Sequence, residues 1–263
     1  MKSWNEFVEI VSSPKFDGWA FRGQQQAEWP LFASLSRYLR QYIPDAGRWP
    51  SQEARSIRIF RRKAHHFQIP DEELDDDLSC IALMQHHGSP TRLLDFTKSP
   101  FVAAFFALER ATTDAAVWAL NSPALYFDAN LKRRGGARHT RDQVDPRNHG
   151  VFDEYYLSNR HKFVWMGEPW RMNRRLIAQS GTFLVPGVID VPIEEILSYY
   201  RAPYDMMVKF VLPAPKIRRD AMWSLYRMNI THATLFPDLD GLARSLAYEL
   251  ETEWRGTRAK RGE

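Results

Sequence analysis

Apolar residues recur at helical spacing in several stretches of the chain. Ser3 and Glu6 stand at capping-box spacing ahead of Phe7, Val8 and Val11, so a helix is expected from Ser3 until Pro14 stops it. Ile57, Phe60, Ala64 and Phe67 fall near a 3.6 period and predict a helix over 51–68, closed by Pro70. The acidic run Asp71 to Asp77 suits the positive end of a helix starting near Leu78, and Gly88 would end it, leaving His86 and His87 in its last turn. Ser99 and Pro100 form an N-cap and N1 pair ahead of FVAAFFALERA. That helix is apolar on nearly all sides and is expected to be buried. A final helix is predicted from Asp238 or Asp240 to Trp254, with Leu242, Leu246 and Leu250 on one stripe and Gly256 as its stop.

The strand pattern is shorter and more irregular. Gly18 to Gly23 reads as an aromatic strand opening into a turn, which puts Arg22 at a strand end. Further strands are expected at Val117 to Leu120, Leu176 to Val185, Met206 to Leu212 and Ala233 to Phe236, whereas Lys132 to Gly150 is polar, basic and expected to be an exposed loop. Strands and helices alternate without a run of βαβ units. The expected class is therefore α+β, with a small mixed or split β-sheet core flanked by helices. One domain is expected over 1–255, with a basic insertion near 130–150 and a flexible basic tail over 256–263.

Composition agrees with a folded chain. Of its 263 residues, 44% are hydrophobic and 13% aromatic, enough for a sizeable core. The chain has no apolar run of membrane-spanning length and its N-terminus lacks a secretory signal pattern, so a cytoplasmic protein with no membrane partner is expected. The single cysteine, Cys80, rules out an internal disulfide framework. A net charge of +4 is a mild bias toward polyanions.

The densest chemical cluster is QHHGSPTRLLDFTKSPFVAAFFA, which brings Gln85, His86, His87, Thr91, Arg92, Asp95, Thr97 and Ser99 together among apolar residues. Two readings stand. Arg92 and Asp95 pair locally, Ser99 caps the helix and the histidines close the preceding one; or Thr97 and Ser99, at a buried helix N-terminus, face an anionic ligand. Phe21-Arg22-Gly23-Gln24 offers an arginine at a strand end followed by a glycine that admits a ligand, or else a surface ion pair. In LFPDLDG, Asp238 or Asp240 either caps the last helix or serves as a strand-end carboxylate.

Other chemistry is poorly supported. The His65-His66 and His86-His87 pairs with Asp75-Asp76-Asp77 supply ligand types for a metal-dependent nuclease or nucleotide hydrolase, but adjacent helical residues point about 100° apart and no zinc motif is present, so no metal is expected. Cys80 sits in an apolar helical run and reads as core. The basic stretch containing Arg133, Arg134, Arg138, Arg141 and Arg147, together with Arg171, Arg174 and Arg175 after Trp165 and Trp170, suits phosphate contacts and base stacking, or is a solvated insertion.

Taken together, FRGQ, the Gln85 to Ala107 block, RLIAQSGTFLVPG (Arg175 to Gly187) and LFPDLDGLA resemble the FRG domain family in order and spacing. His87, Ser89 and Phe96 depart mildly from the family's usual QHYGLPTRLLDWT. The blocks also resemble the ADP-ribosyltransferase arrangement: Phe21-Arg22-Gly23 is similar to its strand-borne Arg-Gly, and Phe96 to Ser99 with Val102 to Ala107 to its Ser/Thr-x-Ser strand and following helix. That resemblance implies an ADP-ribosyltransferase-like fold and an NAD-dependent toxin or defence enzyme modifying a macromolecule, with DNA or RNA as acceptor and an antitoxin or immunity protein as partner. It places Arg22 on the NAD pyrophosphate and the Gly23 backbone against the nicotinamide amide, with Thr97 and Ser99 organising the pocket and Gln24, Arg92 and Gln179 as further cofactor contacts. The superfamily's glutamate has no convincing match here, which leaves Asp238 as the expected catalytic acid and His87 or Asp95 as lesser candidates for proton transfer. The competing reading is a non-catalytic module that binds nucleic acid or a protein.

Overall fold

The computed structural model describes residues 1–127, 139–200 and 206–259. Its framework is one six-stranded sheet: β1 (Ala20–Gln24), β2 (Leu94–Thr97), β3 (Ala115–Leu120), β4 (Val164–Gly167), β5 (Gly181–Pro186) and β6 (Met207–Leu212), in the order β4-β5-β2-β1-β3-β6. Every pairing is antiparallel, so the sheet is not mixed. It is nevertheless split. All of β1 registers with β3, and all of β2 with β5, but β1 and β2 meet only at Phe21 and Thr97. Beyond that pair the strands part, leaving a gap between Arg22–Gln24 and Leu94–Phe96.

Side-chain alternation carries the split into the packing. On one face a single core crosses both halves, from Trp118 and Leu120 through Leu94 and Phe96 to Leu184 and Met166, and is covered by Ile193, Ile196 and Leu197 of a helix at Ile193–Ser198. The other face carries two separate cores. Phe21, Val117, Ala119 and Phe210 pack on α1 (Trp4–Val11), on α6 (Pro100–Leu108) and on a helix at Ala214–Arg227. Phe183, Val185 and Trp165 pack on α5 (Asp77–His86) and on a π-helical turn at Phe152–Leu157. The remaining helices are α2 (Ser34–Tyr42), α3 (Trp49–Ala64), α4 (Asp71–Asp75), α7 (Ser122–Phe127), α8 (Arg174–Ala178), α9 (Ile193–Ser198), α10 (Ala214–Arg227), α11 (His232–Leu235) and α12 (Leu239–Ala259). Among the described residues no helix is long and apolar enough to cross a membrane.

Two sequence-encoded contacts hold this frame. Arg92 is completely buried and does not pair with Asp95: its Nε and Nη2 donate to the two carboxylate oxygens of Glu53 on α3, and Nη1 donates to the Pro186 carbonyl (3.0 Å). The guanidinium also lies 5.3 Å from the ring centre of Phe152 and 5.7 Å from that of Tyr156. The pair is bidentate, and each of the three guanidinium nitrogens has an acceptor, which offsets the cost of burying the charge. Gly23 lies against α6. A β-carbon there would come within 2.1 Å of the Ala103 carbonyl and 2.6 Å of the Ala107 nitrogen, so the glycine is required for strand-to-helix contact.

Several expectations need correction. Ala233 to Phe236 is not a strand, because Thr231 and Thr234 form a capping box that winds the apolar run into α11. The expected strand from Leu176 begins instead at Gly181: Asn173 caps α8 by accepting the Leu176 N–H (2.8 Å), and Ser180 turns the chain at φ 47°. The last helix continues through Gly256 to Ala259, since one glycine costs only about 1 kcal/mol against alanine. Its Leu242, Leu246 and Leu250 face solvent, because Gly241 and Ser245 supply the buried side, with Gly241 pressed on the Phe236 carbonyl. Of the basic stretch, residues 128–138, with Arg133, Arg134 and Arg138, lie outside the described residues, as do 260–263 of the expected tail. The part that follows is anchored: Val144 and Asp145 are buried, Arg147 pairs with Asp145, and Arg141 donates to the Met166 carbonyl (3.2 Å).

Removing one partner of the buried pair strands a charge, so Glu53→Ala should lower unfolding free energy by about 3–5 kcal/mol, read by urea denaturation, and Glu53→Leu with Arg92→Met should recover most of that loss. Gly23→Ala should destabilise by roughly 1–3 kcal/mol through overpacking against α6. An unchanged melting temperature for Gly23→Ala would contradict the packing role.

Candidate functional site

The gap between β1 and β2 opens into a cleft of about 340 Å³ lined by Arg22, Gln24, Trp29, Arg37, Asp95, Thr97, Phe106 and Arg175, among others. A second groove of about 520 Å³, lined by Ser34, Tyr38, Gln41, Gln85 and Pro90, adjoins it, and Arg22, Arg37 and Asp95 line both. These three residues therefore form the waist of a two-lobed depression. Volumes of this size match small-molecule sites.

Strand geometry places the waist. Arg22 and Gln24 are two residues apart on β1 and so share a face. Arg22 Nη1 reaches across the gap and donates to the Asp95 carbonyl (2.6 Å), satisfying a backbone acceptor that the split leaves without a strand partner. Its Nε is buried without an acceptor, and so is Gln24 Nε2, while Gln24 Oε1 accepts from Trp118 Nε1 (2.6 Å). Two orphaned donors on one strand face are a specific departure from the rule that buried polar atoms are paired.

Helix α2 sets the third corner. Its start is tied to the segment before β2, with Leu35 N–H donating to the Thr91 carbonyl (3.0 Å) and Ser34 Oγ accepting the Thr91 N–H (3.0 Å). This holds Arg37 above the gap, where Nη1 donates to the Phe32 carbonyl (2.6 Å). Burial lowers the pKa of Arg22; the Asp95 carboxylate opposes that shift, and Arg37 adds to it. Burial likewise lowers that of Arg37. Two partly desolvated guanidinium groups beside one carboxylate leave the waist net positive. Asp95 itself is exposed and held in place by Gln85, whose Nε2 donates to Asp95 Oδ1 (2.7 Å) and whose Oε1 accepts from Thr91 Oγ1.

The remaining residues singled out in the sequence fall into two groups. Gly23 and Thr97 border the cleft together with Arg22, Gln24 and Asp95. Thr97 Oγ1 donates to the Gln179 carbonyl (2.7 Å) and accepts the Ser99 N–H (3.0 Å), and Ser99 Oγ caps α6 through Val102 N–H (3.3 Å). Both hydroxyls therefore serve the backbone at the strand-to-helix turn. Gln179 Nε2 donates to the Leu235 carbonyl (3.0 Å), tying the entrance of β5 to the LFPDLDG segment.

The second group, like Ser99 and Gln179, stands outside the cleft lining. Arg92 is enclosed in the core pair, His87 is exposed at the end of α5, and Asp238 Oδ1 accepts the Gly241 N–H (2.7 Å) as a cap of the last helix. His86 has its pKa lowered by burial, then by His87 and Arg175, against an opposing influence from Asp238. Asp238 and Arg175 thus both lie near His86, and the Arg175 guanidinium lies 4.4 Å from the Phe236 ring centre.

Sequence reasoning did not nominate Arg37, Trp29 or Tyr38. Arg37 lies in an ordinary amphipathic helix and carries no motif; only the fold brings it to Arg22. Gln85 was visible within the densest polar cluster, and Arg175 among the arginines suited to phosphate contacts. Among the described residues no group of three or more His, Cys, Asp or Glu side chains is arranged to hold a metal ion.

No curated protein and no solved structure matches the chain. The family model of the FRG domain matches residues 17–116. That span runs from the residues before β1 to the start of β3 and contains Arg22, Gln24, Arg37, Gln85 and Asp95. The comparison supports the FRG domain family, through the segment that builds the waist of the cleft.

Proposed function

We propose that the two-lobed cleft binds NAD and that the protein is an ADP-ribosyltransferase-type enzyme acting on a macromolecule. The observation that carries this reading is the pair of buried, unpartnered donors, Arg22 Nε and Gln24 Nε2, set beside Arg37 at the waist between the lobes. A pyrophosphate supplies the acceptors these donors lack, and fork-shaped guanidinium groups suit it. A dinucleotide places that anion at its centre with a nucleoside on each side, which corresponds to one charged waist and two lobes. Trp29 and Phe106 give one lobe aromatic surface, and Tyr38 gives the other a ring that is 54% exposed.

The sequence favoured Asp238 as the acid, but its cap to Gly241 and its absence from the cleft lining shift the proposal to Asp95. NAD brings a ribose–nicotinamide bond that breaks with its electron pair leaving on the nicotinamide nitrogen, while positive charge develops on the ribose. Arg22, Arg37 and Gln24 fix the pyrophosphate. Asp95, oriented by Gln85, stabilises the developing charge and accepts the proton that the attacking acceptor loses. Preorganisation of this kind requires the carboxylate to be held before substrate arrives, which is what the Gln85–Thr91 network does.

Release of nicotinamide, and transfer of adenylate-labelled ADP-ribose to DNA, RNA or protein, test the reading by chromatography. Arg22→Ala and Asp95→Asn should each reduce turnover roughly a hundredfold or more, whereas Asp238→Asn should leave it near that of the parent protein. Full turnover in both of the first two variants would overturn the assignment.

A further inference from the structure

Glu168-Pro169-Trp170-Arg171-Met172-Asn173 joins β4 to α8, whose first two residues are Arg174 and Arg175. One end is tied beside the cleft by the Lys98–Glu168 ion pair (3.5 Å), one residue beyond Thr97, and the other end delivers Arg175 into the cleft lining. Trp170 stands between them with 68% of its surface exposed. An indole in water normally swings freely, but this one is backed. The Arg147 guanidinium lies 4.2 Å from its ring centre and 5.3 Å from that of Trp165, which is 2% exposed in the core. Arg147 is in turn fixed by buried Asp145, to which it donates from Nε (2.9 Å), Nη2 (2.6 Å) and its backbone nitrogen (3.0 Å). A buried ring, a clamped guanidinium and an exposed ring thus form a supported ladder on the segment that leads to Arg175 of the cleft lining.

We infer that this ladder is a stacking platform for a base of a single-stranded nucleic acid, which it presents to the cleft as the acceptor; the acceptor role rests on the transferase reading. The charge around Trp170 matches a phosphate backbone. Three cations near it are each balanced by a carboxylate, Arg147 by Asp145, Lys98 by Glu168 and Arg171 by Glu72 (3.4 Å), so the excess positive charge comes from the start of α8. Arg174 and Arg175 add positive charge on the same short segment, and Arg174 is exposed. An aromatic face beside guanidinium groups is the arrangement that binds bases and tracks phosphates together. A duplex does not fit, since its bases are already stacked on one another and cannot reach an indole without being splayed out. A protein partner would be met by an apolar patch, whereas the excess positive charge of Arg174 and Arg175, a few residues from Trp170, favours a polyanion.

The test is fluorescence anisotropy with end-labelled 20-nucleotide single strands of DNA and RNA of one sequence, and with their duplexes. Single strands should bind, with affinity falling as salt rises, and Trp170→Ala should weaken them roughly tenfold or more, while Trp170→Phe retains most of the affinity. The DNA and RNA arms show which strand is preferred. Trp170 is exposed, so the variants should melt with the parent protein. Duplexes binding as tightly as single strands, absent binding of single strands, or undiminished binding by Trp170→Ala would each overturn the inference. Calorimetry with NAD alone separates the two proposals. Strand binding that depends on Trp170 without NAD binding would leave the platform standing and remove the transferase reading; NAD binding without strand binding would do the reverse.

Discussion

The molecule depends on one interrupted pairing. Phe21 and Thr97 join two three-stranded halves, and immediately beyond them β1 and β2 part. Parting strands inside a sheet is costly, because backbone groups that would have paired must find other partners or remain unsatisfied. The chain meets part of that cost by sending Arg22 across the gap to the Asp95 carbonyl. Arg22 Nε and Gln24 Nε2, on the same strand, are buried without a partner, and those are the groups on which the functional proposal rests.

The split persists because each half has its own support. One core passes continuously behind both halves, while the other face is divided between the α6 cluster and the α5 cluster. Gly23 draws β1 down onto α6, and the Arg92–Glu53 pair binds the start of β2 to α3 and to the end of β5. Helix α2 then bridges the divide through Thr91 and carries Arg37 over it. Two polar groups of the same motif are thereby set apart by a few residues: Arg92 holds the frame, and Asp95 lines the cleft.

Much of this was legible in the residues. The Ser99-Pro100 cap, the buried α6 and the short strands at β1, β3 and β6 follow from local pattern, and the FRGQ and Gln85 to Ala107 blocks supply most of the cleft lining. Long-range partners were not legible. Nothing near Arg92 announces Glu53, which lies on another helix, and Asp95 looked like its natural partner because sequence reading favours neighbours. Gly23 suggested room for a ligand, while the space is taken by α6. Leu242, Leu246 and Leu250 have core-like spacing yet face solvent, since periodicity identifies a stripe without showing which way the helix is turned. Arg37 reaches the site solely through the placement of α2.

The central claim is that orphaned donors at the split await a pyrophosphate flanked by two nucleoside lobes. Isothermal titration calorimetry of the intact protein with NAD, AMP and nicotinamide mononucleotide measures this most directly. The account predicts that NAD binds at least roughly tenfold more tightly than either half, because only the dinucleotide fills both lobes while engaging the waist. Equal affinity for NAD and one of its halves, or no binding by any of the three, would contradict it.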